Sequence, residues 1–394
     1  MANIKERKVK GKTYLYVYSS ASYKGEKKIF EKSIGPKDSD KKILEERKEF
    51  YSALVDVKRD MYLTYLETKH VKFRCLHEGY AFPLVNIKRQ YQDFLSKLYP
   101  NDLEKYKEEF EVRYVHNTTA IEGNTLSLKE TALVLDQGLA PKTKELREIH
   151  EVENYKRLRA YVNEYKGDIT IKFICKLHKF IQRNIDDDGA GCIRRIPVGI
   201  TGSRWEPPPA IVVEEELNAL LDWYNENKKS MHPIELAGLF HHKYLQIHPF
   251  KDGNGRVARE LLNFILVRND YPPIVIPVKQ RFEYMEFLGE ADKGDIVPIL
   301  RFFSLCIIED YVKIAGTILD DIFLLLNDMT DEIRDERRNE ILELFLWSAM
   351  LFREFLEKTP PEIGLKYSEM LGIDKNPNLQ DFIEKIGHYF TPSM

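Results

Sequence analysis

The chain has 394 residues, of which 43% are hydrophobic, 12% aromatic and 31% charged, and its formal net charge is −3. That length supplies core for two or three domains, and the composition excludes a disordered chain. The near-balanced charge gives no global reason to expect nucleic acid or an anionic membrane.

Residues 13–34 alternate as strands do, with Tyr14, Tyr16 and Tyr18 on one side, Leu15 and Val17 on the other, and a turn at Tyr23–Glu26. This predicts a small N-terminal β-hairpin. Twelve Lys/Arg face five Asp/Glu over residues 1–42. A solvated or interface strand is the favoured reading of this basic arm; a DNA-binding regulator is the lesser one. From Lys41 to about Glu67 the period becomes helical, which closes a first segment, 1–67. One or two helices are predicted over 86–116, broken at Pro100-Asn101-Asp102. Next comes His116-Asn-Thr-Thr-Ala-Ile-Glu-Gly-Asn-Thr-Leu-Ser127, read as a helix capped at Gly123 and a new one opened by a Ser127/Glu130 capping box.

Helical patterns follow at 143–165 and 169–184. Residues 188–210 are then rich in Gly and Pro, a long loop of the kind that leans towards function. Helices are predicted at 213–227 and 233–246, and again from Val257 to Val267. Phe282–Ala291 and a long apolar segment to about Ile314 are also helical, 317–358 is helical and amphipathic, and 359–394 is less regular. The four cysteines (Cys75, Cys175, Cys192, Cys306) show no paired spacing, which suggests reduced thiols in a cytoplasm. The sequence has no apolar leader and no uninterrupted apolar run of membrane-spanning length.

Between the helices at 233–246 and 257–267 lies His248-Pro-Phe-Lys-Asp-Gly-Asn-Gly-Arg-Val-Ala-Arg259. The glycines allow a tight turn and close approach of a ligand, and free N–H groups at the next helix start favour an anion. Arg256 and Arg259, three apart, leave the helix on one face near its first turn, which suits a polyphosphate. Asp252 is a candidate Mg²⁺ ligand and His248 a candidate proton acceptor.

This loop matches His-x-Phe-x-(Asp/Glu)-Gly-Asn-Gly-Arg-x-x-Arg and thereby resembles the signature of the Fic family; the resemblance extends over about residues 100–315. It implies an all-α helical-bundle core with a short β-hairpin flap, here flanked by the N-terminal hairpin and a helical C-terminal extension, 316–394. The Fic domain itself is expected over 68–315. It further implies transfer of AMP from ATP to a Ser, Thr or Tyr hydroxyl of a target protein, with Mg²⁺, and self-modification. His248 would be the base and Asp252 the metal ligand. Gly253, Asn254 and Gly255 would supply backbone donors to the phosphates, Arg256 would meet the β-phosphate and Arg259 the γ-phosphate. Phe250 is expected to anchor the loop in the core. The flap is carried to Arg195–Trp205, centred on Val198 and Gly199, and Tyr284 to the nucleotide base, whereas Asp292 stands where some relatives have Asn.

Thr118-x-x-x-Glu122-Gly123 resembles the family's inhibitory motif, on a helix near 105–123, with Glu122 expected to pair with Arg259. Removal of AMP, or transfer of another phosphorus-containing group, are the resemblance's alternatives; the intact Gly253 and Gly255 favour adenylylation. A homodimer is expected from family habit, and no membrane partner.

Overall fold

The computed structural model describes residues 2–200 and 204–315, with the isolated positions 340, 344, 358, 360 and 361. Almost all of the expected C-terminal extension therefore lies outside the described residues, as does the flap tip at 201–203. The described chain falls into two compact units, one holding residues 2–71, 78–90 and the described positions from 311 on, the other 72–77 and 91–310.

The first unit is a sheet on a helix. Strands β1 (Asn3–Val9), β2 (Lys12–Tyr23) and β3 (Glu26–Pro36) pair antiparallel in that order. The expected hairpin is present, with Tyr23 opposite Glu26, but it forms the central strand and one edge of a three-stranded sheet. The extra strand carries only two apolar side chains, Ile4 and Val9, and is nearly all exposed. Backbone pairing to β2, from Asn3 opposite Tyr18 to Val9 opposite Lys12, defines it rather than burial. Val17, Ala21, Phe30 and Ile34 pack on Phe50, Tyr51, Leu54 and Val55 of helix α1 (Lys41–Lys69). Asp40 caps that helix by accepting the N–H groups of Lys42 and Ile43.

Helix α2 (Ala81–Lys97) belongs in its first half to this unit and in its second half to the other. The second unit is helical: α3 (Pro100–Ala120), α4 (Leu128–Ala132), α5 (Leu146–Glu164), α6 (Ile171–Ile181), α7 (Val213–Asn227), α8 (Pro233–Ile247), α9 (Asn254–Arg268), α10 (Arg281–Ala291) and, as far as Asp310, α11 (Val297–Ala315). Pro100 opens α3, where its missing N–H costs nothing. The Ser127/Glu130 capping box opens α4 as expected. Helix α3 stops at Ala120, short of Gly123, and the intervening turn carries Glu122. Helix α9 is buried from Asn254 to Leu266 except at Gly255, as befits a helix packed on all sides. The buried Glu235 of α8 accepts the N–H groups of Arg74 (2.9 Å), Cys75 (2.7 Å) and Leu76 (2.8 Å), which fastens residues 72–77 to this unit.

The expected β-hairpin flap is not formed by the described residues of 195–205, which contain no strand. Pro197 and the run Pro207–Pro209 remove ladder donors around that loop. Side chains hold its base instead. Trp205 Nε1 donates to the Gln246 carbonyl at 3.0 Å. Arg194, buried, donates to the carbonyls of His248 (2.8 Å) and Pro208 (2.6 Å). Among the described residues no helix is long and apolar enough to cross a membrane.

Candidate active site

Helix α8 ends at His248 in the left-handed conformation (φ 49°, ψ 60°), with its N–H closing on the Tyr244 carbonyl at 3.1 Å. Pro249 cannot extend the helix, so the chain turns and buries Phe250 completely. The Phe250 ring stacks on the His178 imidazole with centroids 3.7 Å apart and planes 1° from parallel. Asn254 then closes the turn on itself: Phe250 N–H donates to its Oδ1 at 3.0 Å and its Nδ2 donates to the Phe250 carbonyl at 2.8 Å. Gly253 carries φ +78° as the residue before α9, and a Cβ there would lie 2.8 Å from Gln182 Nε2. A rigid turn thus presents the first N–H groups of α9 with the helix dipole behind them.

Burial lowers the pKa of His248, opposed by the Leu245 carbonyl and by the charges of Glu122 and Asp252. The imidazole is therefore neutral near pH 7 and able to accept a proton. Burial also pushes His178 down to about 4. Its Nδ1 accepts the Gly191 N–H (2.9 Å), so Nε2 carries the proton and donates to the Asp252 carbonyl (2.9 Å). The unfolded chain takes up these protons first as pH falls, so stability should decline as pH drops from about 6.5 towards 4. His178 alone accounts for at most about 3 kcal/mol of that loss. Urea midpoints measured across this window check it, and His178→Phe should flatten the slope.

Four charges close a ring around Asp252. Arg147 Nη2 meets Asp252 Oδ2 at 3.0 Å, Asp252 Oδ1 meets Arg256 Nη2 at 3.5 Å, Arg256 Nη1 meets Glu151 Oε1 at 3.5 Å, and Glu151 Oε1 meets Arg147 Nε at 3.4 Å. Arg256 is buried, whereas the Asp252 side chain is 49% exposed. Burial pushes the Asp252 carboxyl up, but Arg256, the Gly253 N–H and Arg147 together hold it below the usual range. The other Glu151 oxygen accepts Asn124 Nδ2 at 2.9 Å, which ties the segment after Glu122 to the same ring.

Arg259 is engaged elsewhere. Its Nε donates to Thr118 Oγ1 at 2.7 Å, and its Nη2 donates to the Thr118 carbonyl at 2.9 Å and to Glu122 Oε1 at 2.6 Å. Burial disfavours the charge on Arg259, but Glu122, Tyr284 and Tyr155 outweigh it and raise the pKa. Gly255 makes room for the pair, because a Cβ there would meet Glu122 Oε1 at 2.3 Å. The end of α3 is held in place by Val278 N–H donating to Asn117 Oδ1 (2.8 Å) and by Arg281 Nε donating to the Ile121 carbonyl (2.6 Å).

The loop residues His248 to Arg259 and the Thr118–Gly123 turn therefore sit together, with Thr118 and Glu122 both on Arg259. Tyr284 is buried beside Arg259 with its hydroxyl 3.0 Å from His241 Nε2, and burial raises its phenol to about 12. Asp292 accepts His242 Nε2 (2.9 Å) and Gln246 Nε2 (3.3 Å). Val198 is half-buried and Gly199 exposed, in the loop whose base Arg194 holds. The sequence reading missed Arg194, His178, Arg147 and Glu151. An arginine or histidine that works by reaching across 54, 74 or 105 positions leaves no local pattern.

The Fic/DOC family profile matches residues 168–266, and a Fic-domain signaling protein of known structure from Bacteroides thetaiotaomicron is 30% identical, with a TM-score of 0.53, 59% of this chain covered and 97% of that one. The chain belongs to the Fic family. Protein adenylyltransferase fic-1 of Caenorhabditis elegans is 37% identical over 218 residues, 53% of this chain and 42% of its own. Protein adenylyltransferase Fic of Drosophila ananassae is 36% identical over 221 residues, 55% of this chain and 44% of its own. The structure of C. elegans Fic-1 (residues 134 to 508) shares 28% identity at a TM-score of 0.55, covering 71% of this chain and 81% of that one. The chain thus spans less than half the length of the curated relatives it matches.

Proposed function

We propose that the protein transfers AMP from ATP to a Ser, Thr or Tyr hydroxyl of a protein, itself included, and that Glu122 restrains the transfer. The printed names of the relatives, protein adenylyltransferases, support the reaction. The observation that carries the restraint is the Arg259–Glu122 pair at 2.6 Å, which occupies the guanidinium that the γ-phosphate would need.

In the reaction the hydroxyl oxygen attacks the α-phosphorus and its proton passes to the neutral His248 imidazole. The bond from the α-phosphorus to the oxygen leading to the β-phosphate breaks, and pyrophosphate leaves. The first N–H groups of α9, including those of Asn254 and Gly255, with Arg256 and Arg259, would spread the charge of the leaving group. Gly253 would set the turn that aims these donors. Its own N–H is held by Asp252 Oδ1 at 2.6 Å.

Asp252 is the residue that would hold Mg²⁺, and its chemistry fits. It is an ionised, half-exposed carboxylate, and Mg²⁺ characteristically takes one or two carboxylates plus phosphate and water. Among the described residues no group of three or more His, Cys, Asp or Glu gathers, so nucleotide and protein would share the ion. Bound Mg²⁺ would neutralise charge on the phosphates. Tyr284, Val198 and Gly199 are assigned to the nucleotide and target side of the site by the family resemblance alone. On this reading the catalytic domain spans 68–315, the protein dimerises, and its four free cysteines suit a reducing cytoplasm.

Intact-mass spectrometry after incubation with ATP and Mg²⁺ tests the reaction. The expected product is heavier by one AMP residue. Asp252→Ala should lose both this product and Mg²⁺-dependent ATP binding, and a mass gain of a single phosphate would reject adenylylation.

A further inference from the structure

The first unit has a face that the transfer reaction does not use. Residues 1–42 carry twelve Lys/Arg against five Asp/Glu in a chain whose net charge is −3, so the remaining 352 residues are net −10. Such an asymmetry points to a polyanionic partner for this segment.

The pairing register sorts these charges. Strand β2 turns Val17, Ser19 and Ala21 towards the core, which places Lys12, Tyr14, Tyr16, Tyr18, Ser20 and Ser22 on the opposite face of the sheet. The residues opposite them are Lys5, Arg7, Lys27 and Glu31 among others, so that face carries four cations and one carboxylate. Lys5 Nζ lies 4.9 Å over the Tyr18 ring and the Arg7 guanidinium 5.0 Å over Tyr16. Both also pair with Glu31, Arg7 at 3.0 Å. The side chains of Lys12, at the start of β2, and of Lys27, on β3 opposite Ser22 near the other end, are exposed, and neither makes an ion pair or hydrogen bond among the described residues. Ile29, also on this face, is 52% exposed.

We propose that this face binds single-stranded nucleic acid. Neighbouring tyrosines on one face of a strand stand about 7 Å apart, so Tyr14, Tyr16 and Tyr18 offer a row of rings to successive bases of one strand. Base stacking on tyrosine is indifferent to sequence, and arginine adds a planar cation against which a base also stacks. Lys12 and Lys27 bracket the tyrosine row and would take phosphates at either end. A duplex fits less well, because its bases are already stacked on one another and offer no ring faces to Tyr14, Tyr16 and Tyr18. A protein partner would use a contiguous apolar patch, whereas the exposed apolar residues here, Val9 beside Lys12 and Ile29 beside Ser20, lie at opposite ends of a face otherwise dominated by tyrosine, serine and charge.

Fluorescence anisotropy of the full chain with labelled dT20, U20 and a 20-base-pair duplex tests the proposal at 50 and 200 mM salt. Both single strands should bind, and more tightly than the duplex. Two phosphate contacts, at Lys12 and Lys27, imply a loss of roughly 7-fold between the two salt concentrations. Lys12→Glu with Lys27→Glu, both exposed and unpaired, should weaken binding by about ten-fold or more and lower the salt slope. The same double variant should leave self-labelling with ATP unchanged. Tyr16→Ala should weaken binding by about ten-fold with less change in slope. Far-UV circular dichroism verifies that its sheet persists. Absence of binding at 50 mM salt, tighter binding to the duplex, or equal binding by the double lysine variant would overturn the proposal.

Discussion

Glu122→Gly is expected to raise self-labelling with ATP by about 100-fold over the parent chain. The size follows from what the carboxylate does. It holds Arg259 Nη2 at 2.6 Å, and its Oε1 stands where even a methyl group on Gly255 would collide at 2.3 Å. A triphosphate entering beside it would lack the guanidinium meant for its end and would be pushed sideways. Displacement of a reacting group by about 1 Å is enough for a loss of that order. Removing the side chain restores both charge and space, while Thr118 continues to orient Arg259 through Nε at 2.7 Å. Glu122→Gln, which keeps the bulk but not the charge, should fall between the two. Radiolabelled ATP and the three proteins suffice, and equal incorporation by parent and Glu122→Gly would remove the inhibitory role of this residue.

The second large effect is loss of labelling in His248→Ala, by about 10²–10⁴-fold when measured in the Glu122→Gly background. The substitution removes the proton acceptor without touching Asp252, Arg256 or Arg259, so equilibrium binding of ATP should be nearly unchanged while turnover collapses. Because burial holds the imidazole below its ordinary pKa, the base remains competent below pH 6.5. The labelling rate should be flat near neutrality and fall only as pH drops through that lowered value. A rate limb centred above 6.5, or full labelling by His248→Ala, would assign the proton transfer to another group.

Much of the site was legible because its chemistry is local. His248, Asp252, Gly253, Arg256 and Arg259 lie within one turn between two helices whose apolar periods are plain. Glu122 could be matched to Arg259 despite the 137 positions between them, because the motif that carries it lies on a recognisable helix end. The capping box at Ser127 could also be read, since both its partners lie three residues apart. The supports were not. Arg194, His178 and the Arg147/Glu151 pair act through contacts that only the assembled helices create. Strand β1 escaped because an exposed edge strand buries too little to impose an alternating pattern. The described residues of the expected flap hold no strand for the opposite reason: a family habit was placed on a loop rich in proline, whose anchors here are the Arg194 and Trp205 side chains.

The tethering of α3 at Asn117 and Ile121 has a consequence for nucleotide discrimination. With the helix end held on both sides, the proposed restraint would be released by movement of the Glu122 side chain, and the contest for Arg259 would be between Glu122 and a terminal phosphate. By linkage, whatever tightens one loosens the other by the same factor. On the proposed reading, the resting form would therefore gain little from the third phosphate and would tell ATP from ADP poorly. With Glu122 turned away it would become selective for the triphosphate, so that sensitivity to cellular energy charge would itself be the property being switched.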